Sequence, residues 1–84
     1  MIEITAMNLD QVPRGQILRV KRVQSTPQST ELSNQLEEVG FITGEQVVVL
    51  RKNILGGDPM MIRIGSSTFA LRKNEASLIE VEPL

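Results

Sequence analysis

Apolar residues recur along the chain at two spacings, and the switch between them divides it into elements. In "QILRVKRV", Gln16 to Val23, the residues Ile17, Leu18, Val20 and Val23 are interleaved with Arg19, Lys21 and Arg22. This imperfect period of two predicts a strand with a bulge, its basic residues facing mostly outward. The segment "QSTPQS", Gln24 to Ser29, is turn chemistry, and Ser29 or Thr30 can cap a following helix by accepting an orphan backbone N–H bond. In "TELSNQLEEVGF" the period lengthens, with Leu32, Leu36 and Val39 at i, i+4 and i+7 on one stripe of a short helix. Gly40 ends it. With Gly40 left-handed at C′, Phe41 becomes C″ and reaches Leu36 at C3, the apolar contact of a Schellman ending. Glu31 complements the helix dipole from the first turn, whereas Glu37 and Glu38 oppose it from the last.

The period then returns to two. "EQVVVLRK", Glu45 to Lys52, places Val47 and Val49 on one face and Val48 and Leu50 on the other, with enough β-branching to prefer a strand. A strand apolar on both faces needs cover on both, one supplied by the core and the other by the helix or a partner subunit. "MMIRI" sets Met60, Ile62 and Ile64 against Met61 and Arg63; Gly65-Ser66-Ser67 turns the chain into "TFALR", with Phe69 and Leu71 opposite Thr68, Ala70 and Arg72. That is a hairpin. "KNEA" predicts one helical turn, and "LIEVE" a last strand with Ile79 and Val81 inward and Glu80 and Glu82 outward. The sum is an all-β (small α+β) chain: an SH3-like β-barrel of about five strands, closed or nearly so, with one inserted short helix. Closure is expected because short strands with free edges invite aggregation. Leu36, Val49 and Phe69 are expected to share the core.

Length and composition narrow the function. At 84 residues the chain, read as one domain over 1–84, removes only about 60–65% of its unfolded surface from water, which leaves no separate catalytic lobe. It has no Cys and no His, so disulfides, thiolate nucleophiles, zinc fingers and the usual neutral-pH base are all missing. An enzyme is not expected, nor a cofactor or a metal site. Nine Lys and Arg balance ten Asp and Glu, without the basic excess typical of nucleic-acid binding. No apolar run reaches the roughly 20 residues that span a bilayer, and Met1 to Thr5 lacks signal-peptide order, so a cytosolic location is expected.

The stretch "LGGDPMMIRI", Leu55 to Ile64, holds the densest candidate chemistry. A phosphate cradle would lead into a helix, and Gly56-Gly57-Asp58-Pro59 leads into a strand. A calcium loop needs several spaced oxygens, and Asp58 stands alone. The structural reading is a bend in which glycine permits positive φ, Asp58 stabilises the turn and Pro59 begins the strand where its missing N–H is harmless. Leu55, at the loop tip without core duty, is the hint of partner contact. Met60 and Met61 offer an adaptable surface, one of them as core filler. A partner contact would thus run through Leu55, Gly56, Gly57, Asp58 and Met60. Elsewhere, Glu80 and Glu82 read as a solvated strand face, and Arg72 as a surface partner of Glu75. With no Trp or Tyr and only Phe41 and Phe69, a polyproline-binding groove is excluded.

Three pieces in order, Val39-Gly40-Phe41-Ile42-Thr43-Gly44, Gly57-Asp58-Pro59, and Leu71-Arg72 with Ala76, Ile79 and Val81, resemble the FeoA family of small SH3-like proteins. Val39 stands where Leu is more usual. The resemblance implies a cytosolic accessory of bacterial ferrous-iron uptake that binds the cytoplasmic G-protein domain of a FeoB-type transporter and is neither pore nor hydrolase. Contact with the membrane would then come only through the transporter. Self-association through the two-faced strand is open, and nucleic acid is not expected. Two alternatives stand beside it: an SH3-like regulatory module of a metal-dependent repressor system, and a small RNA-binding barrel using Arg19, Lys21, Arg22, Arg51 and Lys52.

Overall fold

The computed structural model describes residues 7–53, 56 and 58–84. Its elements in chain order are β1 (Met7–Asn8), a 3-10 turn (Leu9–Gln11), β2 (Ile17–Val23), α1 (Thr30–Glu38), β3 (Gln46–Lys52), β4 (Met60–Ile64), β5 (Ser67–Leu71), α2 (Lys73–Ala76) and β6 (Ile79–Pro83). The strands form one antiparallel sheet in the order β1-β6-β2-β3-β4-β5. The fold is mainly β as expected, but with six strands and two short helices, and it is not a closed barrel. Among the described residues β1 and β5 share no ladder, and the two described residues of β1 are in register with Val81 and Glu80 of β6.

The period-two strands place one face inward. Leu18, Val20, Val47, Val49, Met60, Ile62, Ile64, Leu71, Ile79 and Val81 are buried, and Leu9, Val12, Leu36, Phe41 and Ala76 close over them. The irregular alternation of β2 is a register shift against β6 between Val20 and Arg22, which lets Lys21 and Arg22 both remain exposed. A second shift, in β3 between Val49 and Arg51, leaves Leu50 40% exposed. Among the described residues the second face of β3 is only partly covered, with Val48 half-buried, and α1 lies against β2.

Helix α1 ends as the sequence indicates. Gly40 has φ +122°, its N–H donates to the Glu37 carbonyl (3.1 Å), and the Phe41 N–H donates to the Leu36 carbonyl (3.1 Å), the paired bonds of a Schellman ending. Two details differ. Val39 falls past the last helical residue and is 42% exposed, so the buried stripe is Leu36 and Ser33, with Leu32 packed at its margin. Ser33 is tolerated there because its hydroxyl donates to the Gln24 carbonyl. Ser29 is the N-cap residue, but its hydroxyl faces backward, accepting the Thr26 N–H at 3.0 Å, so the expected side-chain cap is not made.

The β4–β5 hairpin pairs Ile64 with Ser67 around Gly65-Ser66. Gly65 has φ +57° and Ser66 is not left-handed, the φ pattern of a type II′ turn, in which glycine carries the strained first position.

Candidate functional site

The loop that precedes β4 is tied to the N-terminus of α2. Asp58 Oδ1 accepts the backbone N–H of Lys73, and Glu75 Oε1 accepts the backbone N–H of Arg72 at 2.7 Å. A four-residue helix cannot satisfy its own first donors, so one carboxylate from across the fold and one from within the turn do so. Glu75 therefore serves the Arg72 backbone, whereas the sequence suggested its guanidinium. Asp58, Pro59 and Arg72 line a shallow cleft of about 160 Å³ at this junction, and the Asp58–Pro59 peptide is cis.

Of the five residues named as a partner surface, Gly56 (φ +96°) and Asp58 are exposed. Met60 is 1% exposed and fills the core; Met61, half-buried on the opposite face of β4, is the methionine that reaches the surface. Leu55 and Gly57 lie outside the described residues. The sequence did not reveal that Asp58 and Arg72 share one cleft, because the bond joining their segments spans 15 positions.

The bend at Asp58 is thus also a cap. Asp58→Ala is expected to cost about 0.5–2 kcal/mol, the usual range for a lost helix cap, and Asp58→Asn, which keeps an acceptor, distinctly less. Equal melting temperatures for Asp58→Ala and wild type would show that the bond to Lys73 does not stabilise the fold.

On the outer face, β2 and β6 pair charge with charge. Arg22 Nε donates to Glu80 Oε1 at 2.8 Å, Lys21 Nζ lies 3.5 Å from Glu80 Oε2, and Arg19 Nε lies 3.6 Å from Glu82 Oε2. The Glu80 side chain, 12% exposed, is held below the ordinary glutamate pKa of 4.5 by the hydrogen bond from Arg22, reinforced by the Arg22 and Lys21 charges and opposed by desolvation. A carboxylate whose pKa is lower in the folded state stabilises the fold above its unfolded value and loses that contribution as pH falls through its folded one. Glu80→Gln should therefore lower the melting temperature at pH 7 and converge with wild type in strong acid; a difference that persists unchanged across a pH titration of melts would count against the pairing. Lys52, half-buried, donates from Nζ to the Val12 carbonyl at 2.9 Å. Four of the five cations suggested for RNA thus already have protein partners.

Comparison with known proteins bears on what this surface serves. A model of the FeoA domain matches residues 7–83. Among solved structures, the chain is similar to a zinc-complexed FeoA from Stenotrophomonas maltophilia, a prokaryotic SH3 domain protein, at 33% identity and a TM-score of 0.82, over 90% of this chain and 89% of that one. It is similar to the iron(II) transport protein A of Clostridium thermocellum at 37% identity and a TM-score of 0.81, over 93% of this chain and 46% of that one. A manganese-dependent transcriptional repressor shares the fold alone, at 19% identity and a TM-score of 0.81, over 100% of this chain and 45% of that one. No curated protein matches the chain.

Proposed function

Since the chain belongs to the FeoA family, we propose that it is a cytosolic accessory of ferrous-iron uptake that binds the cytoplasmic G-protein domain of a FeoB-type transporter, without hydrolytic activity of its own. The observation that carries this reading is the family match, which runs from β1 to the end of β6 and so takes in every strand and both helices. The docking surface is the loop–helix junction: Gly56 and Asp58 with the adjoining Leu55 and Gly57, flanked by Arg72. Met60 acts from beneath, as the core residue that seats the start of β4 against Leu71. An exposed junction whose backbone is held by two carboxylates is preorganised, and preorganisation lowers the entropic cost of binding.

The repressor-module alternative rests on likeness of fold, and fold alone does not choose a partner. The RNA alternative needs basic side chains free to meet phosphates, whereas Arg19, Lys21, Arg22 and Lys52 are engaged within the protein.

The test is an NMR titration of the isotopically labelled protein with the purified G-protein domain of the same organism's ferrous transporter, followed by a GTPase assay. Shifts confined to Gly56, Asp58, Arg72 and Lys73 are expected. Spectra unchanged at high concentration of the domain would overturn this docking site and direct attention to the membrane portion of the transporter.

A further inference from the structure

Among the described residues β5 is an edge of the sheet, and it has the features of a self-pairing surface. The Gly65 N–H donates to the Gln46 carbonyl, which makes Val47 and Ile64 a non-hydrogen-bonded pair of the β3–β4 ladder. Ile64 must then bond to Ser67, and the alternation continues through Phe69 and Leu71. The N–H and C=O groups of Thr68 and Ala70 consequently point away from the sheet, and among the described residues no backbone bond engages them. Both residues are exposed.

Sheet edges in monomeric proteins are usually blunted by a charge, a proline, a bulge or a covering element. The β5 sequence "STFAL" contains no charge and no proline, and its ladder with β4 runs without a register shift. At the other edge of the sheet, β1 comprises two of the described residues. We propose that β5 pairs antiparallel with β5 of a second copy of this chain about a two-fold axis through Phe69, joining two six-stranded sheets into one.

The register follows from which groups are free. The Arg72 N–H is taken by Glu75 and the Arg72 carbonyl by Glu75 and Ala76, so a pairing shifted toward α2 would find its donors occupied. A pairing shifted the other way would use Ser66, which is in the turn. Centred on Phe69, Thr68 of each copy lies opposite Ala70 of the other, and four backbone bonds form from groups now facing solvent. Phe69, half-buried beside Phe41 at a ring separation of 6.3 Å, meets its own symmetry mate at a non-hydrogen-bonded position, where cross-strand side chains approach most closely. The self-complementarity is that of an isologous interface: an uncharged strand meets itself without like-charge repulsion, and Arg72 of each copy stands opposite Ser66 of the other, far from its own mate. A second copy is thus favoured over an unrelated extended peptide, because at this register each exposed Thr68 meets a small, uncharged Ala70 of the mate.

Sedimentation equilibrium of the wild-type protein from about 10 μM to about 1 mM, the weak range suited to an interface this small, is expected to show reversible dimerisation. Thr68→Lys combined with Ala70→Lys sets lysines opposite each other twice across the axis and should weaken association at least tenfold. Thr68→Lys combined with Ala70→Glu sets opposite charges there and should restore it, an outcome specific to this register. Because both positions are exposed, melting at low concentration serves as the folding control. Should a variant not fold, wild-type hydrogen exchange decides: the Thr68 and Ala70 amides should exchange more slowly as concentration rises. A single monomeric mass throughout, association indifferent to the paired lysines, or protection of these amides only on adding another protein would each overturn the proposal.

Discussion

Phe41→Ala is expected to destabilise the protein by about 3–5 kcal/mol, the range for emptying a buried aromatic site. Phe41 is fully buried in the core cluster with Leu36. Its backbone N–H closes the Schellman ending on Leu36, a bond that alanine retains, so the loss falls on the ring, which packs against Phe69 at a tilt of 51°. Losing the ring leaves a cavity that a helix anchored at both ends by turns cannot collapse into. Domains of this size shift by roughly 4–8 °C per kcal/mol, so thermal melts followed by circular dichroism should show a fall of well over 10 °C. A fall of less than about 4 °C would mean that the core is not organised around this side chain. Phe69→Ala should cost less, because Phe69 lies half-buried at the margin of the same cluster.

Leu9→Ala is expected to cost about 2–5 kcal/mol, comparable with the central strands. Leu9 sits in the 3-10 turn before β2, fully buried with Val12, and that turn packs against α2 and β6. Lys52 holds its far end through the Val12 carbonyl. The segment therefore closes one end of the core. Chemical denaturation of Leu9→Ala with an unchanged m-value and a lowered midpoint would match this role. A midpoint equal to wild type would show that the turn rests on the core without contributing to it.

The two residues differ in how visible they were. Phe41 was legible because its neighbours announce it: a helical stripe, then Gly40, then an aromatic at C″, all within ten positions. Leu9 was not, because a single 3-10 turn is too short to develop a period. The spacing of Leu9 and Val12, three apart, is a local sign of a shared face that the sequence reading did not use.

The candidate junction shows the same division. Gly56, Gly57, Asp58 and Pro59 read as a bend from residue type alone, since positive φ and a strand-starting proline are local requirements. That Asp58 caps α2 beside Arg72 depends on the loop crossing the fold to meet a helix 15 positions later, and no local pattern carries that. The alternation had set Met60 on one face with Ile62 and Ile64, opposite Arg63, and the 1% exposure of Met60 shows that this face is the core, which removes Met60 from the contact surface.

By itself the sequence determined what local physics decides: the five-residue to eight-residue runs of period two that become β2 to β6, the glycine stop of α1, the tight turn at Gly65-Ser66, and the exclusion of cysteine and histidine chemistry. Tertiary structure decided what depends on contacts between distant segments. It left the sheet open between β1 and β5, moved α1 onto β2 so that Leu50 remained exposed, engaged Arg19, Lys21 and Arg22 with the carboxylates of β6, and turned Thr68 and Ala70 outward. Periodicity assigns a residue to a face, but only the packed neighbours decide whether that face is covered.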